Sequence, residues 1–368
     1  MKPAISSLQT VSLINNAITP TAVLAIPGVM IGQAHNDAWI SGILAGVASV
    51  VIAALIAMIC KANPGLPFVV WMENRFGRPI GMVIGILSCL YYFNAFCMIV
   101  RQFANFMGDL VLDETPLIML VGIMVAVTAF TVAHGIEAIA RSSFVVLLLL
   151  TIVIPFSIAI NFGDMNVNRL LPLLDADPIS IVSASITPFG WLSEVSILFI
   201  LSPYIKKPAS LVRLSVIGVL SSAALVILVT VMAISIFGPR LVPMMSYPFF
   251  NMVGIVEVGK FLERIEIFTV SVWCMTMYIK MAVFLFASVQ CLSHALHTHT
   301  SRHVLIGISM LAVVTAVAAW PRNAEIGFLG SIGAVPFLFL FNIGMPIAIG
   351  LGLLVTKNGQ SKKGAPAP

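Results

Sequence analysis

Charged side chains are scarce in this sequence: Asp, Glu, Lys and Arg make up 9% of its 368 residues, against 60% hydrophobic. A domain dissolved in water needs far more charge than this to cover its surface. The composition therefore excludes a soluble globular enzyme and leaves a polytopic membrane protein. Chemical signatures are missing as well. There is no Walker-type phosphate loop, no His-Glu-x-x-His pair and no Gly-x-Ser-x-Gly elbow, so an enzymatic reading has no handle and no cofactor is expected. The five cysteines, at 60, 89, 97, 274 and 291, fall within or at the ends of apolar runs and lack paired spacing. Neither a disulfide framework nor a metal site is suggested, and free thiols are expected. No short apolar core followed by a small-residue cleavage site opens the chain, so the first apolar segment is expected to be retained.

Long apolar runs are what the sequence has in abundance. Taking runs of at least about 18 residues as membrane spans gives ten, at about 8–33, 38–60, 79–107, 117–134, 142–161, 185–204, 212–237, 265–292, 303–320 and 328–355. Residues 1–356 then form one ten-span domain in two halves, about 8–161 and 185–355, and 357–368, rich in Gly, Lys and Pro, read as a solvated tail. The N-terminus, the tail and the loops after spans two, four, six and eight carry twelve Lys or Arg, whereas the opposite loops carry five: Arg169, Arg240, Lys260, Arg264 and Arg322. By the positive-inside bias both termini are cytoplasmic. The net charge of +5 is thus a matter of topology and argues nothing for nucleic acid.

Two matching tripeptides interrupt corresponding apolar segments: Ile18-Thr19-Pro20 in the first and Ile186-Thr187-Pro188 in the sixth. In hydrocarbon a proline frees a backbone carbonyl that lipid cannot satisfy, so a broken helix persists only where protein or a water-filled cavity receives it. Breaks at the same place in two halves are the pattern of transporters built from five-helix inverted repeats.

A few polar residues lie at membrane depth. Glu194 follows in Pro188-Phe-Gly-Trp-Leu-Ser-Glu194 and is the one acid placed inside a span. Burying it charged costs at least about 2.5 kcal/mol, so it is expected to be paired, protonated or wet. A structural ion pair with Arg101 or Lys280 and a ligand or proton role both remain open. Trp273, Thr276 and Lys280 recur along one face of span eight, which is expected to point inward with Lys280 as a fixed counter-ion in a cavity. Tyr91, Asn94, Met98 and Arg101 form a similar stripe in span three, compatible with helix packing or with a polar interior. The Gly-x-x-x-Gly spacings Gly42 to Gly46 and Gly81 to Gly85 read as packing.

The order Pro27-Gly28, Asp37-Ala38-Trp39, Gly77-Arg78, Arg101, Thr115-Pro116, Gly135-Ile136-Glu137 with Arg141, Gly190 to Glu194, Tyr247-Pro248, Arg264 and Trp273 to Lys280 resembles the spore germinant receptor B subunits over nearly the whole chain. That family is similar to the amino acid-polyamine-organocation transporters. The resemblance implies an all-α integral membrane fold of ten transmembrane helices, a five-plus-five inverted repeat with broken helices 1 and 6 (LeuT-like). It also implies a ligand site between spans one, three, six and eight. Further implications are an inner spore membrane location, a small nutrient such as an amino acid, and A and C subunits as partners beside the membrane lipid. Carried over by position, the pocket is formed by Thr19, Pro20 and Thr21, by Tyr91 or Tyr92, by Phe189, Gly190 and Trp191, and by Thr276. Helix ends at such breaks bind carboxylates through free N–H groups. Glu194 is then a candidate for holding the ammonium, and Lys280 for the place of a sodium ion in coupled relatives. The runner-up function on the same fold is a proton-coupled amino acid transporter.

Overall fold

The computed structural model describes residues 5–254, 265–298, 301–320, 325 and 332–363. Lys2, Lys260, Arg264, Arg322 and the expected start of span ten lie outside them. Local signals in the sequence place the helix ends. Ser6 and Gln9 form a capping box, Gln9 N donating to Ser6 Oγ and Ser6 N to Gln9 Oε1, which starts α1 (Ser7–Ala34). A short 3-10 turn, His35–Asp37, separates it from α2 (Ala38–Ala62). After the loop helix α3 (Phe68–Phe76), Gly77 at φ 93° adopts a backbone open to glycine and launches α4 (Arg78–Leu110). The helices α5 (Leu117–Ala133) and α6 (Ile136–Asn161) complete the first half.

Asp177 caps α7 (Pro178–Leu192), its carboxylate accepting from Ile179 N with Pro178 in the first turn. A 3-10 stretch, Ser193–Ile197, links α7 to the single turn α8 (Leu198–Leu201) and completes span six. There follow α9 (Leu211–Phe237), the loop helix α10 (Pro248–Gly254), α11 (Ile265–Ala295) and α12 (Ser301–Ala318). Span ten consists of α13 (Val335–Phe339), a π-helical segment Leu340–Gly344 and α14 (Met345–Lys363). Among the described residues this makes ten apolar helical segments of spanning length, the shortest being α5 at 17 residues. Large apolar side chains on their outer faces, such as Val51 on α2, Ile123 on α5 and Met310 on α12, are exposed and suit contact with lipid.

Ile5 pairs with Ile205 in an isolated parallel bridge: Ile5 N donates to Tyr204 O at 2.9 Å, and Lys206 N to Ile5 O at 3.0 Å. The start of span one thus lies beside the end of span six. The two spans run antiparallel, and the second half is inverted relative to the first. Four of the five spans of the first half also pack on their counterparts: α1 on α7, α2 on α9, α4 on α11, and α5 on α12. One face of the molecule gathers the Ile5 strand, the end of span six, and Glu73 in contact with His297. The other gathers Asp37, whose buried carboxylate accepts from the backbone N–H groups of Leu174, Asp175 and Ala176 at 2.8 to 2.9 Å, and Tyr247, which donates to Asp109. These groupings match the two sets of loops that the basic residues distinguish.

The glycine pairs are packing positions. A Cβ on Gly42 would lie 2.8 Å from Ile227 Cγ1 on α9, and one on Gly81 would meet the Glu73 backbone nitrogen at 2.6 Å. The interruptions differ from expectation. The helix α1 continues through both Pro20 and Pro27, and the break in span six falls at Ser193–Ile197 rather than at Pro188. A single proline removes only one hydrogen bond, the one to the carbonyl four residues earlier. In α1 those carbonyls belong to Asn16 and Val23, both buried inside the protein. At the other end, α14 runs to Lys363, so the segment expected as a solvated tail is helical over its first half.

Candidate functional site

Lys280 stands midway along α11 with its side chain 0% exposed, and its Nζ donates to Glu194 Oε2 at 2.6 Å and to Thr21 Oγ1 at 2.5 Å. The rings of Trp191 and Phe284 lie 5.2 and 5.3 Å from that nitrogen, within cation–π range. Span one supplies Thr21, the 3-10 break of span six supplies Glu194, and span eight supplies the lysine. The inward face expected on α11 is real. Trp273 reaches the Pro20 carbonyl, Thr276 bonds back to the Trp273 carbonyl at 2.7 Å, and Lys280 closes the row. Such a pair repays its desolvation only with good geometry and further hydrogen bonds, and both are present here.

Arg101 is therefore not the partner of Glu194. Its guanidinium donates to Asn105 Oδ1 at 2.9 Å and to the carbonyls of Ala316 and Val317 at 3.1 and 3.2 Å. Those carbonyls are among the last four of α12, where a cation meets both unpaired acceptors and the negative end of the helix dipole.

Opposite the pair, Tyr91 OH donates to Asn342 Oδ1 at 2.9 Å, and Ser196 Oγ donates to the same oxygen at 2.5 Å. Asn342 sits in the π-helical segment of span ten, so its one oxygen joins span three, through Tyr91, and the 3-10 stretch of span six, through Ser196. Departures of this kind from α-helix free backbone and side-chain groups for other work. The sequence reading missed Asn342, although an amide inside the run Phe337-Leu-Phe-Leu-Phe-Asn342 is a visible signal. It also missed Asn16, which donates to Ser143 while its own Oδ1 is buried without a partner.

Six of the ten residues expected in one pocket are divided between two, and Thr21, Tyr92, Phe189 and Gly190 line neither. Tyr91, Trp191 and Glu194 line a cavity of about 530 Å³ between spans three, six and ten, together with Asn94 and Met98 of the span-three stripe. Thr19, Pro20 and Thr276 line a separate space of about 40 Å³ against α6, α9 and Trp273, too small for an amino acid. Phe189 stacks edge-on against Phe339, and a Cβ on Gly190 would lie 3.3 Å from the same ring, so both face span ten. Tyr92 is buried between Tyr91 and Phe284. Among the described residues no group of His, Cys, Asp and Glu is placed to hold a metal, and the five cysteines are free thiols.

Comparisons with known proteins agree with this architecture. The spore germination protein profile matches residues 4–325. Spore germination protein YndE of Bacillus subtilis (strain 168) is 23% identical over 349 residues, covering 91% of this chain and 95% of that protein. Spore germination protein B2 of the same organism is 20% identical, covering 91% and 92%. Among solved structures, Mhp1, a nucleobase-cation-symport-1 family transporter with bromovinylhydantoin bound, superposes with a TM-score of 0.65 at 14% identity over 92% of this chain and 75% of its own. A Na+-coupled sialic acid symporter gives 0.66 at 12% identity, covering 92% and 78%. The fold is thus the ten-helix inverted repeat of these transporters, and this chain belongs to the spore germination protein family.

Proposed function

We propose that this protein is the nutrient-sensing subunit of a spore germinant receptor. It binds a small germinant such as an amino acid within the membrane and signals to A-type and C-type partner subunits in the inner spore membrane, with both termini in the cytoplasm. The observation that carries this reading is the buried Lys280–Glu194 pair at the break in span six, beside a cavity of a size suited to a small ligand. Lysine occupies one carboxylate oxygen, and Glu194 also lines the cavity wall. A ligand ammonium that binds there changes the charge balance at the junction of spans one, six and eight. Signalling then requires only that ligand bind one arrangement of those spans more tightly than another, about 1.4 kcal/mol for each factor of ten.

A second reading is a proton-coupled amino acid transporter, favoured by the fold shared with symporters and by an intramembrane carboxylate able to carry a proton. Reconstitution of the chain alone in liposomes separates the two. The receptor reading expects amino acid binding with little uptake driven by a pH gradient; robust gradient-driven uptake would establish the transporter instead.

A further inference from the structure

The space between spans one, three, six and eight, where the resemblance puts a ligand, is occupied by the protein's own side chains. Lys280, Glu194, Thr21, Tyr92 and Phe284 are all at most 2% exposed. A cavity of about 530 Å³ lies on the other side of Trp191, toward span ten. Resting on the amino acid reading above, we infer that the germinant site is this cavity between spans three, six and ten, and that it takes a zwitterionic α-amino acid with a large apolar side chain.

Its walls state the chemistry. Tyr91, Phe93, Trp191, Trp320 and Phe337 bring five aromatic rings to the lining, and none of the described lining residues is Lys, Arg or His. One anion, Glu194, is present to receive an ammonium. Two neutral donors are present for a carboxylate. Trp191 is 1% exposed and its indole N–H has no acceptor. Asn94 is exposed in the middle of span three without a hydrogen bond, unlike the hydroxyls Thr151, Ser185, Ser271 and Thr315 on other outer faces, which bond back to their own helices. An unpartnered amide at this depth and a buried indole N–H both lack an acceptor, and one carboxylate supplies it. Charge counting agrees. Lys280 and Glu194 cancel, so a bare amine would leave an uncompensated positive charge in the interior, whereas a zwitterion leaves none. The volume of about 530 Å³ and the aromatic lining accommodate a phenylalanine or leucine side chain with room to spare, and offer a methyl group little contact.

Binding of L-phenylalanine, L-alanine, L-glutamate and phenethylamine to the purified full-length protein in nanodiscs, by calorimetry, tests this. L-Phenylalanine is expected to bind at least tenfold more tightly than L-alanine, L-glutamate or phenethylamine. Ala334→Phe, which fills the cavity from span ten, should weaken it at least tenfold, and Asn94→Leu, on an exposed surface where folding is tolerant, severalfold. Amino acid binding unmoved by both variants would overturn this location while leaving the sensing role intact. Phenethylamine binding as tightly as phenylalanine would overturn the zwitterion assignment. Absence of binding by any amino acid would remove the sensing reading too, and occupancy by a co-purified lipid chain that amino acids fail to displace would assign the cavity to lipid.

Discussion

Lys280 on span eight and Glu194 at the break of span six form a direct ion pair of 2.6 Å with both side chains shielded from solvent. Across 86 residues of sequence, the pair ties the two segments that define the centre of the second repeat. Removing one partner strands the other charge, which costs about 3–5 kcal/mol in a buried site. Lys280→Met and Glu194→Leu alone should each lower the thermal midpoint in detergent markedly. The double variant should recover much of the loss, because no charge is left unpaired. A double variant as unstable as the sum of the two would mean that the pair does not act as a unit.

Asp37 joins the end of span one to the loop before span six through three backbone N–H donors. Asp37→Ala leaves those donors without an acceptor, at about 1–3 kcal/mol for each one that stays buried. The expected result is faster proteolysis between residues 171 and 177 and a lower thermal midpoint, with Asp37→Asn intermediate between wild type and alanine. Equal midpoints for wild type and Asp37→Ala would refute it.

A Cβ added at Gly190 would lie 3.3 Å from the Phe339 ring, closer than an ordinary contact. Gly190→Leu should abolish the germination response to nutrient while the protein still reaches the membrane, because the new side chain displaces span ten. Adding Phe339→Ala should restore part of the response by making room. Failure of the second change to help would locate the defect elsewhere than span ten.

The grouping of loops on two faces gives a labelling test of orientation. In a cysteine-free background, single cysteines at Asp175 and Glu325 should react with an impermeant thiol reagent from outside, and one at Lys207 should not. The opposite pattern would invert the topology.

The number of spans was legible because each must supply a run of about 20 apolar residues, a demand that shows in any window of sequence. Side-chain stripes were legible too: Tyr91, Asn94 and Met98 fall on one wall of a cavity, and Trp273, Thr276 and Lys280 on one inward face. Which cation meets Glu194 was not, since Arg101 and Lys280 are equally plausible until tertiary packing sends Arg101 to the end of α12. The position of the break was misread because proline marks where one donor is lost, not where a helix tightens into 3-10 geometry. The loop helices α3 and α10, of 9 and 7 residues, are too short to show in a search for spans. Asn342 joined the site only through contacts made by residues far apart in the chain.

The two backbone hydrogen bonds that join Ile5 to Tyr204 and Lys206 act as a clasp between the start of span one and the exit of span six. Sliding either strand by one residue breaks both bonds, so the ends of spans one and six travel together or the clasp opens. Ile5 is thereby fastened to the half of span six that lies beyond Glu194, and displacement at the ion pair has a short mechanical route to the face of the molecule where Ile5 and Ile205 meet.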